Sequence, residues 1–285
     1  MPFLSLDSPR EPARLLLMGN SGAGKTGALL SLAAAGYTLH ILDTDRKAAD
    51  LFRSLTSDPE ILSRIDIEQV IERLEARRVP GEGRRARIKG EPKAFERCFE
   101  IIDAWLKEGF DKQHIVVLDT FTALSKYAGS VAARINQRDV PIFQDYPAAF
   151  AMLRPFLEMI TAFEAGSLET FQCHVIVNAH LNYYEVKQKT GEKITVGRVK
   201  VDETQTIDTL VYPKSIGQGL SPEIPTFFNA MLYVAQRSTN DAKRVIYTVP
   251  EGLVPVKTPV QGLPRTLPVE SGLATYFSLL DKPSK

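Results

Sequence analysis

Short runs of consecutive apolar residues recur along the first two thirds of the chain, and segments with helical spacing lie between them. Apolar runs without alternation are typical of strands that a parallel sheet buries on both faces, whereas apolar spacings of three and four indicate an amphipathic helix. Strands that alternate with helices predict an α/β fold with a mostly parallel sheet flanked by helices. The pattern predicts strands at 14–18, 38–43, 114–119 and 173–180, and helices at 26–35, 46–55, 93–107 and 141–165.

The pattern changes after residue 180, where polar and Thr-rich residues alternate. Residues 181–217 are predicted to form a β-hairpin or a long loop that turns at Thr190-Gly191. The C-terminal third is predicted to be a β-rich, antiparallel extension of the core. Its expected strands lie at 230–236 and 244–249, and its expected helices at 221–228 and 271–280.

Two segments admit more than one interpretation. Residues 65–70 alternate with a period of two, as in a strand, but their apolar residues together with Ile71 and Leu74 also fit a helix. Residues 75–93 contain almost no large apolar residues and are rich in Gly, Pro and Arg, which indicates a surface insertion. This insertion is either a basic flap over nucleic acid or a solvated loop.

The chain has 285 residues and a net charge of +1, so a binding site for a polyanion must be a local patch. No linker or repeat divides it, and a single domain over 1–285 is expected, with its core at about 13–260. The two cysteines, Cys98 and Cys173, lie in apolar or helical runs, which favours buried thiols in a reducing compartment. The sequence shows no signal peptide and no apolar stretch long enough to span a membrane, so a cytoplasmic protein is expected.

A phosphate-binding loop lies between the first predicted strand and the first predicted helix. Its glycines allow a tight turn whose N–H groups cradle phosphate oxygens, and the helix that follows adds its positive end. In such a loop Lys25 reaches the β- and γ-phosphates, and the Thr26 hydroxyl coordinates Mg²⁺. The residues predicted to bind the nucleotide are Gly19, Asn20, Ser21, Gly22, Ala23, Gly24, Lys25, Thr26 and Gly27.

A nucleotide hydrolase also needs carboxylates at the ends of neighbouring strands. Asp119 follows four apolar residues and is predicted to hold the metal together with Thr26. Asp43 ends the second strand and Asp45 lies two residues on, and either can orient the attacking water or cap the helix after it. His180 ends the strand after Asp119, as a sensor of the γ-phosphate or as an ordinary strand-end histidine. No N-K-x-D motif for guanine is present, so ATP is the expected nucleotide.

In this order, the motifs resemble the core of RecA-type ATPases over residues 13–260. More narrowly, they are similar to phage-encoded RecA-like nucleotide-binding proteins, a group that includes phage single-strand annealing ATPases. The resemblance implies that Asp119-Thr120 ends the Walker B strand and that Asp45 takes the place of a catalytic Glu. It implies that His180 takes the place of a γ-phosphate-sensing Gln before a DNA-binding loop. It also implies that Lys257 reaches the nucleotide of the next subunit in a homo-oligomer.

The stretch after His180 supplies cations and aromatic rings for single-stranded DNA. Cations can follow a phosphate backbone, and the rings of Tyr183, Tyr184 and Tyr212 can stack on bases. A solvated hairpin is the alternative, because acidic residues dilute the patch. The predicted DNA-binding residues are Lys187, Lys189, Lys193, Arg198 and Lys200.

Together these features predict a Mg²⁺-dependent ATPase of the RecA type that binds single-stranded DNA in phage recombination or annealing. The nucleotide is expected at the interface between subunits. One alternative is an ATP-driven switch or assembly protein that binds a protein partner and no nucleic acid. A small-molecule kinase is a weaker alternative, because such kinases carry an Arg-rich lid and the only Arg-rich segment here precedes Asp119.

Overall fold

The computed structural model describes residues 11–72, 74–79, 83–88, 90–162, 170–196, 199–238 and 241–281. At 74–79, 83–88, 188–196, 199–205, 207, 238 and 241–242 it describes the backbone alone. No helix within these ranges is long and apolar enough to cross a membrane.

Twelve strands are present in the described ranges, and eight of them form a central sheet. In space their order is β12-β11-β10-β1-β7-β6-β2-β3, with β4-β5 and β8-β9 as two separate hairpins. The neighbours from β10 to β3 pair in parallel, whereas β11 and β12 are antiparallel. The bounds are β1 (Arg14–Met18), β2 (Thr38–Asp43), β3 (Ile65–Gln69), β4 (Leu74–Val79), β5 (Gly83–Ile88), β6 (His114–Asp119), β7 (His174–Ala179), β8 (Leu181–Val196), β9 (Val199–Pro213), β10 (Ala230–Ser238), β11 (Asp241–Tyr247) and β12 (Thr266–Pro268).

Helices cover both faces of the sheet. In β1, Leu16 and Met18 belong to one apolar cluster and Leu15 and Leu17 to the other, so each face of the strand is buried. This explains the continuous apolar runs and confirms the predicted α/β fold with a mostly parallel sheet. The helices are α1 (Lys25–Ala28), α2 (Leu30–Ala34), α3 (Ala48–Leu55), α4 (Pro59–Ser63), α5 (Ala94–Glu108), α6 (Phe121–Ile135), α7 (Tyr146–Thr161) and α8 (Gly272–Leu280), with 3₁₀ turns at Phe143–Asp145 and Ile224–Phe227.

Three uncertain or incorrect predictions are settled by the backbone. In the segment 65–70, Ile65–Gln69 form the edge strand β3 and no helix. Thr190-Gly191 is not a turn: it lies inside β8, where the register shifts between Lys189 and Lys193, so these residues mark a β-bulge. In the segment predicted as helix 221–228, only the 3₁₀ turn Ile224–Phe227 is helical.

The Arg-rich insertion is a hairpin in its described part and not a loop. Strands β4 and β5 pair over their whole length, from Leu74 opposite Ile88 to Val79 opposite Gly83. The chain then enters α5 at Ala94, and Gly109 ends that helix in the left-handed conformation, with φ of 69°. Both cysteines are buried free thiols, as predicted.

Candidate nucleotide-binding site

The glycine-rich loop joins β1 to α1 and is fixed by close packing against neighbouring strands. A Cβ atom on Gly19 would collide with the carbonyl oxygen of Val234 in β10. Gly24 has φ of 105°, and a Cβ there would lie 2.9 Å from Cδ of Arg244. These two positions therefore require glycine, and the loop lies between β10 and an arginine of β11.

Lys25 is positioned inside the loop by the loop's own carbonyls. Its Nζ donates hydrogen bonds to the carbonyl oxygens of Gly19 at 2.7 Å and Asn20 at 3.1 Å. The residue is only 5% exposed, and desolvation by burial lowers the pKa of its ammonium to about 8. An ammonium that has lost most of its water gains more from a phosphate anion than an exposed one does.

Thr26 and Asp119 bring two oxygen ligands together at the start of α1. The Thr26 hydroxyl donates to Oδ2 of Asp119 at 2.6 Å. Asp119 is the last residue of β6 and is 3% exposed, and burial raises the pKa of its carboxyl while the Thr26 hydrogen bond opposes this change. Hydroxyl and carboxylate oxygens are the ligands that Mg²⁺ prefers, so this pair fits the predicted metal.

Asp43 and Asp45 make different contacts, although one residue separates them. Oδ1 of Asp43 accepts from the backbone N–H groups of Asp45 and Arg46, and Oδ2 accepts from that of Ala48. Both oxygens of Asp43 therefore hold the turn that leads into α3. The Asp45 side chain is 28% exposed, and its contact with His180 lowers the pKa of its carboxyl. Asp45 is thus an ionised carboxylate that faces the site.

His180 connects Lys25 to Asp45. Its Nδ1 lies 3.2 Å from Nζ of Lys25, and its Nε2 lies 3.9 Å from Oδ2 of Asp45. Because an ammonium only donates, Nδ1 accepts this hydrogen bond and the ring proton is on Nε2, towards Asp45. The backbone N–H of His180 donates to Oγ1 of Thr122 at 3.0 Å, which fixes the histidine relative to α6.

These side chains line one pocket with a volume of about 220 Å³ at the carboxyl ends of the parallel strands. Gly19, Asn20 and Ala23 do not line it, and the last two face a second cavity against β10. The sequence did not indicate Lys47, Leu51 or Arg244, which also line the pocket. The complete lining is Ser21, Gly22, Gly24, Lys25, Thr26, Gly27, Asp43, Asp45, Lys47, Leu51, Asp119, Thr120, His180 and Arg244.

The other predicted site residues lie outside this pocket. Lys257 pairs with Met231 of β10 through the backbone, and its Nζ donates to the carbonyl oxygen of Pro225 at 3.1 Å. Nζ of Lys187 lies 3.3 Å from Oε2 of Glu185. Arg198 and the side chains of Lys189, Lys193 and Lys200 lie outside the described part of the chain.

A phosphate-binding loop after the first strand of a mostly parallel sheet, next to an acidic strand end, defines a P-loop nucleoside triphosphatase. The family model described as "AAA domain" matches residues 11–260, and the chain belongs to this family. No curated protein matches the sequence. Membership of the family indicates ATP binding and, in general, ATPase activity.

Proposed function

We propose that this protein is a Mg²⁺-dependent ATPase that binds single-stranded DNA and acts in phage recombination or annealing. One observation carries the proposal: His180 contacts both the loop lysine and Asp45, and strand β8 begins at the next residue. A change at the γ-phosphate would therefore reach the start of the β8-β9 hairpin. Through Asp45 it would also reach Thr44, whose carbonyl oxygen shares the Tyr127 hydroxyl with that of Val70, ahead of the β4-β5 hairpin. The phage role rests on the similarity of the motif order to phage RecA-like proteins.

The loop and β6 would bind the triphosphate and its metal. Lys25, freed from the carbonyls of Gly19 and Asn20, would neutralise the β- and γ-phosphates. Thr26 and Asp119 would hold Mg²⁺, which neutralises charge on the phosphate oxygens when bound. The buried carboxyl of Asp119 is unfavourable as an anion without such a partner, and this supports its role at the metal.

Asp45 would orient the attacking water, because its ionised carboxylate lines the pocket and its Oδ2 makes long contacts, 3.7 Å to Nζ of Lys47 and 3.9 Å to Nε2 of His180. His180 would hold the Asp45 carboxylate through Nε2 while its Nδ1 accepts from Lys25. Catalysis would then consist of positioning and charge neutralisation, as in other phosphoryl-transfer sites. Asp43 has no such freedom, since backbone N–H groups occupy both of its oxygens.

A second copy of the chain would complete the site in a homo-oligomer. The pocket opens at the carboxyl edge of the sheet, and Lys257 lies outside the pocket of its own chain. The resemblance to RecA-type ATPases is what places Lys257, in this proposal, at the nucleotide of a neighbouring subunit.

The rate of phosphate release from ATP, with and without DNA, tests the proposal. We expect single-stranded DNA to raise the rate and duplex DNA of equal length to raise it less. ATP hydrolysis that no DNA changes would contradict the DNA-dependent function and favour the alternative, an ATP-driven switch with a protein partner.

A further inference from the structure

The β4-β5 hairpin carries a high density of positive charge. Its two strands contain five arginines and one glutamate, in a chain whose net charge is only +1. The register places Arg77 opposite Arg85 and Arg78 opposite Arg84. Like charges at directly opposite positions destabilise an antiparallel pair. The hairpin therefore concentrates positive charge in its sequence, and a bound polyanion would neutralise that charge.

The β8-β9 hairpin has a different charge balance. Its strands contain four lysines and five carboxylates, so the paired strands are not basic. The register places Lys193 opposite Asp202, and Nζ of Lys187 lies 3.3 Å from Oε2 of Glu185. Opposite charges at these spacings partly neutralise each other, which weakens their attraction for phosphates.

The segments that flank the β4-β5 hairpin, which we call its root, are connected to the nucleotide site by hydrogen bonds. Strand β3, which precedes it, runs parallel to β2 and therefore ends at the same edge of the sheet as Asp43. The Tyr127 hydroxyl in α6 lies 2.7 Å from the carbonyl oxygen of Thr44 and 3.2 Å from that of Val70. Thr44 precedes Asp45, and Val70 follows β3. One tyrosine thus contacts the segment that carries the water-orienting carboxylate and the segment that leads into the hairpin.

Helix α6 also contacts the segment that follows β5, on the other side of the hairpin root. Arg134 donates to the carbonyl oxygen of Gly90 at 2.8 Å, and its Nε lies 3.5 Å from Oε2 of Glu91. The same helix starts directly after Asp119, with Thr120 as its N-cap. A displacement of α6 at the metal end would therefore reach both sides of the hairpin root.

We infer that the β4-β5 hairpin is the main surface that contacts the phosphate backbone of DNA, through Arg77, Arg78, Arg84 and Arg85. This inference rests on the proposed DNA-binding function. It assigns that function to the insertion that the sequence offered as a basic flap, and not to the β8-β9 hairpin whose lysines were predicted to bind DNA. Arginine suits this role, since its planar guanidinium binds phosphate oxygens in pairs. The contact is to the backbone and is independent of base sequence.

Two variants with the same change in charge separate the two hairpins. One changes Arg78, Arg84 and Arg85 to Ala, and the other changes Lys187, Lys189 and Lys193 to Ala. A fluorescent oligothymidine is titrated with each protein at four salt concentrations, and its anisotropy gives the Kd. Since each phosphate contact on a single strand contributes about 0.7 to the slope of log K against log salt, the arginine variant should lose up to about 2 from that slope.

We expect the arginine variant to bind at least about tenfold more weakly than the wild type near 0.1 M salt. The lysine variant should bind within about threefold of the wild type. A third variant, with Arg78→Lys, Arg84→Lys and Arg85→Lys, keeps the charges. It should keep the salt slope of the wild type, with an affinity between those of the wild type and the alanine variant. A thermal stability no lower than that of the wild type and an unchanged ATP affinity exclude a general loss of folding in the arginine variant.

Two results would overturn the inference. The first is an arginine variant that binds as tightly as the wild type and with the same salt slope. The second is a lysine variant that loses the affinity while the arginine variant keeps it, which would place DNA on β8-β9. A wild type that binds neither single-stranded nor duplex DNA at any salt concentration would instead show that the proposed DNA-binding function itself is wrong.

Discussion

Two aspartates at the end of β2 show how backbone contacts decide the role of a side chain. The sequence places both at the end of the same strand and leaves open which one caps the helix. Asp43 accepts three backbone N–H groups, and Asp45 faces His180 and the pocket. This difference depends on the path of residues 44–47, where Arg46 has φ of 56°, and no local pattern in the sequence shows that path.

Replacing each aspartate with asparagine should therefore give two different defects. Asp45→Asn should slow ATP hydrolysis by about 10²-fold or more with little change in stability, because it removes the charge that orients water. Asp43→Asn should cost about 1–3 kcal/mol of stability, because an amide cannot accept all three N–H groups. Phosphate release and thermal unfolding of both variants check this. A larger loss of rate in a well-folded Asp43→Asn protein would move the water-orienting role to Asp43.

The lowered pKa of Lys25 predicts how ATP binding depends on pH. In the free protein burial holds this pKa at about 8, so the lysine is charged below pH 8 and neutral above it. A bound triphosphate requires the charged form, and binding above pH 8 must therefore take up a proton. The affinity for ATP should fall by up to about tenfold per pH unit from pH 8 upwards. Calorimetric titrations between pH 7.5 and 9.5, in buffers of different ionisation enthalpy, measure both the Kd and the proton uptake. A Kd that stays constant over this range, with no proton uptake, would contradict the prediction that Lys25 must be charged to bind ATP.

Among the secondary-structure elements, the buried strands could be read from the sequence most reliably. Strands β1, β2, β6 and β7 lie where continuous apolar runs predict them, because both of their faces are covered. Helix α6 gave no such signal. Its buried face consists largely of small residues, including Ala128, Gly129 and Ala132, which contribute little to a hydrophobic pattern.

The two hairpins show why strand pairing is harder to predict than the existence of a strand. In β4 and β5 almost no large apolar residues alternate, so the sequence indicates a loop although the backbone pairs throughout. In β8 the Thr190-Gly191 dipeptide has the composition of a turn but forms a bulge. In both cases the register is fixed by contacts across the pair, which one segment alone does not encode.

Arg244 is the clearest site residue that the sequence missed. It lies opposite Gln236 in the antiparallel pair of β10 and β11, and this pairing brings its side chain over Gly24 of the loop. An arginine at the start of a predicted strand does not indicate a nucleotide site unless the pairing of that strand is known. Its position places a positive charge beside the nucleotide pocket.

Arg244→Ala should therefore raise the Kd for ATP by about 10- to 150-fold, since a charge-assisted contact of this kind contributes about 1.5–3 kcal/mol. Lys243→Ala is the matched control, because it removes a charge from the adjacent residue, which does not line the pocket. Fluorescence titration with a labelled ATP analogue measures both. Equal Kd values for the two variants would show that Arg244 only packs on the loop.

For the molecule as a whole, the parallel sheet brings the residues of the nucleotide site together at one edge. The loop, Asp45, Asp119 and His180 lie at the carboxyl ends of β1, β2, β6 and β7. The β4-β5 hairpin follows β3, and the β8-β9 hairpin follows β7, so both leave from that same edge. The net charge of +1 gives no sign of a basic hairpin, because acidic residues elsewhere in the chain balance its arginines. The nucleotide site could be predicted because its motif is local, whereas the order of the strands around it could not.

The central claim is that Lys25, Thr26 and Asp119 form an ATP-hydrolysing site, and phosphate release from Mg·ATP tests it most directly. The wild type should release phosphate, Lys25→Ala should remain folded without binding ATP, and Asp119→Asn should bind ATP without Mg²⁺-dependent turnover. The amide keeps the shape of the Asp119 side chain and removes the charge that holds the metal. Folded Lys25→Ala and Asp119→Asn proteins that release phosphate at the wild-type rate would contradict the account.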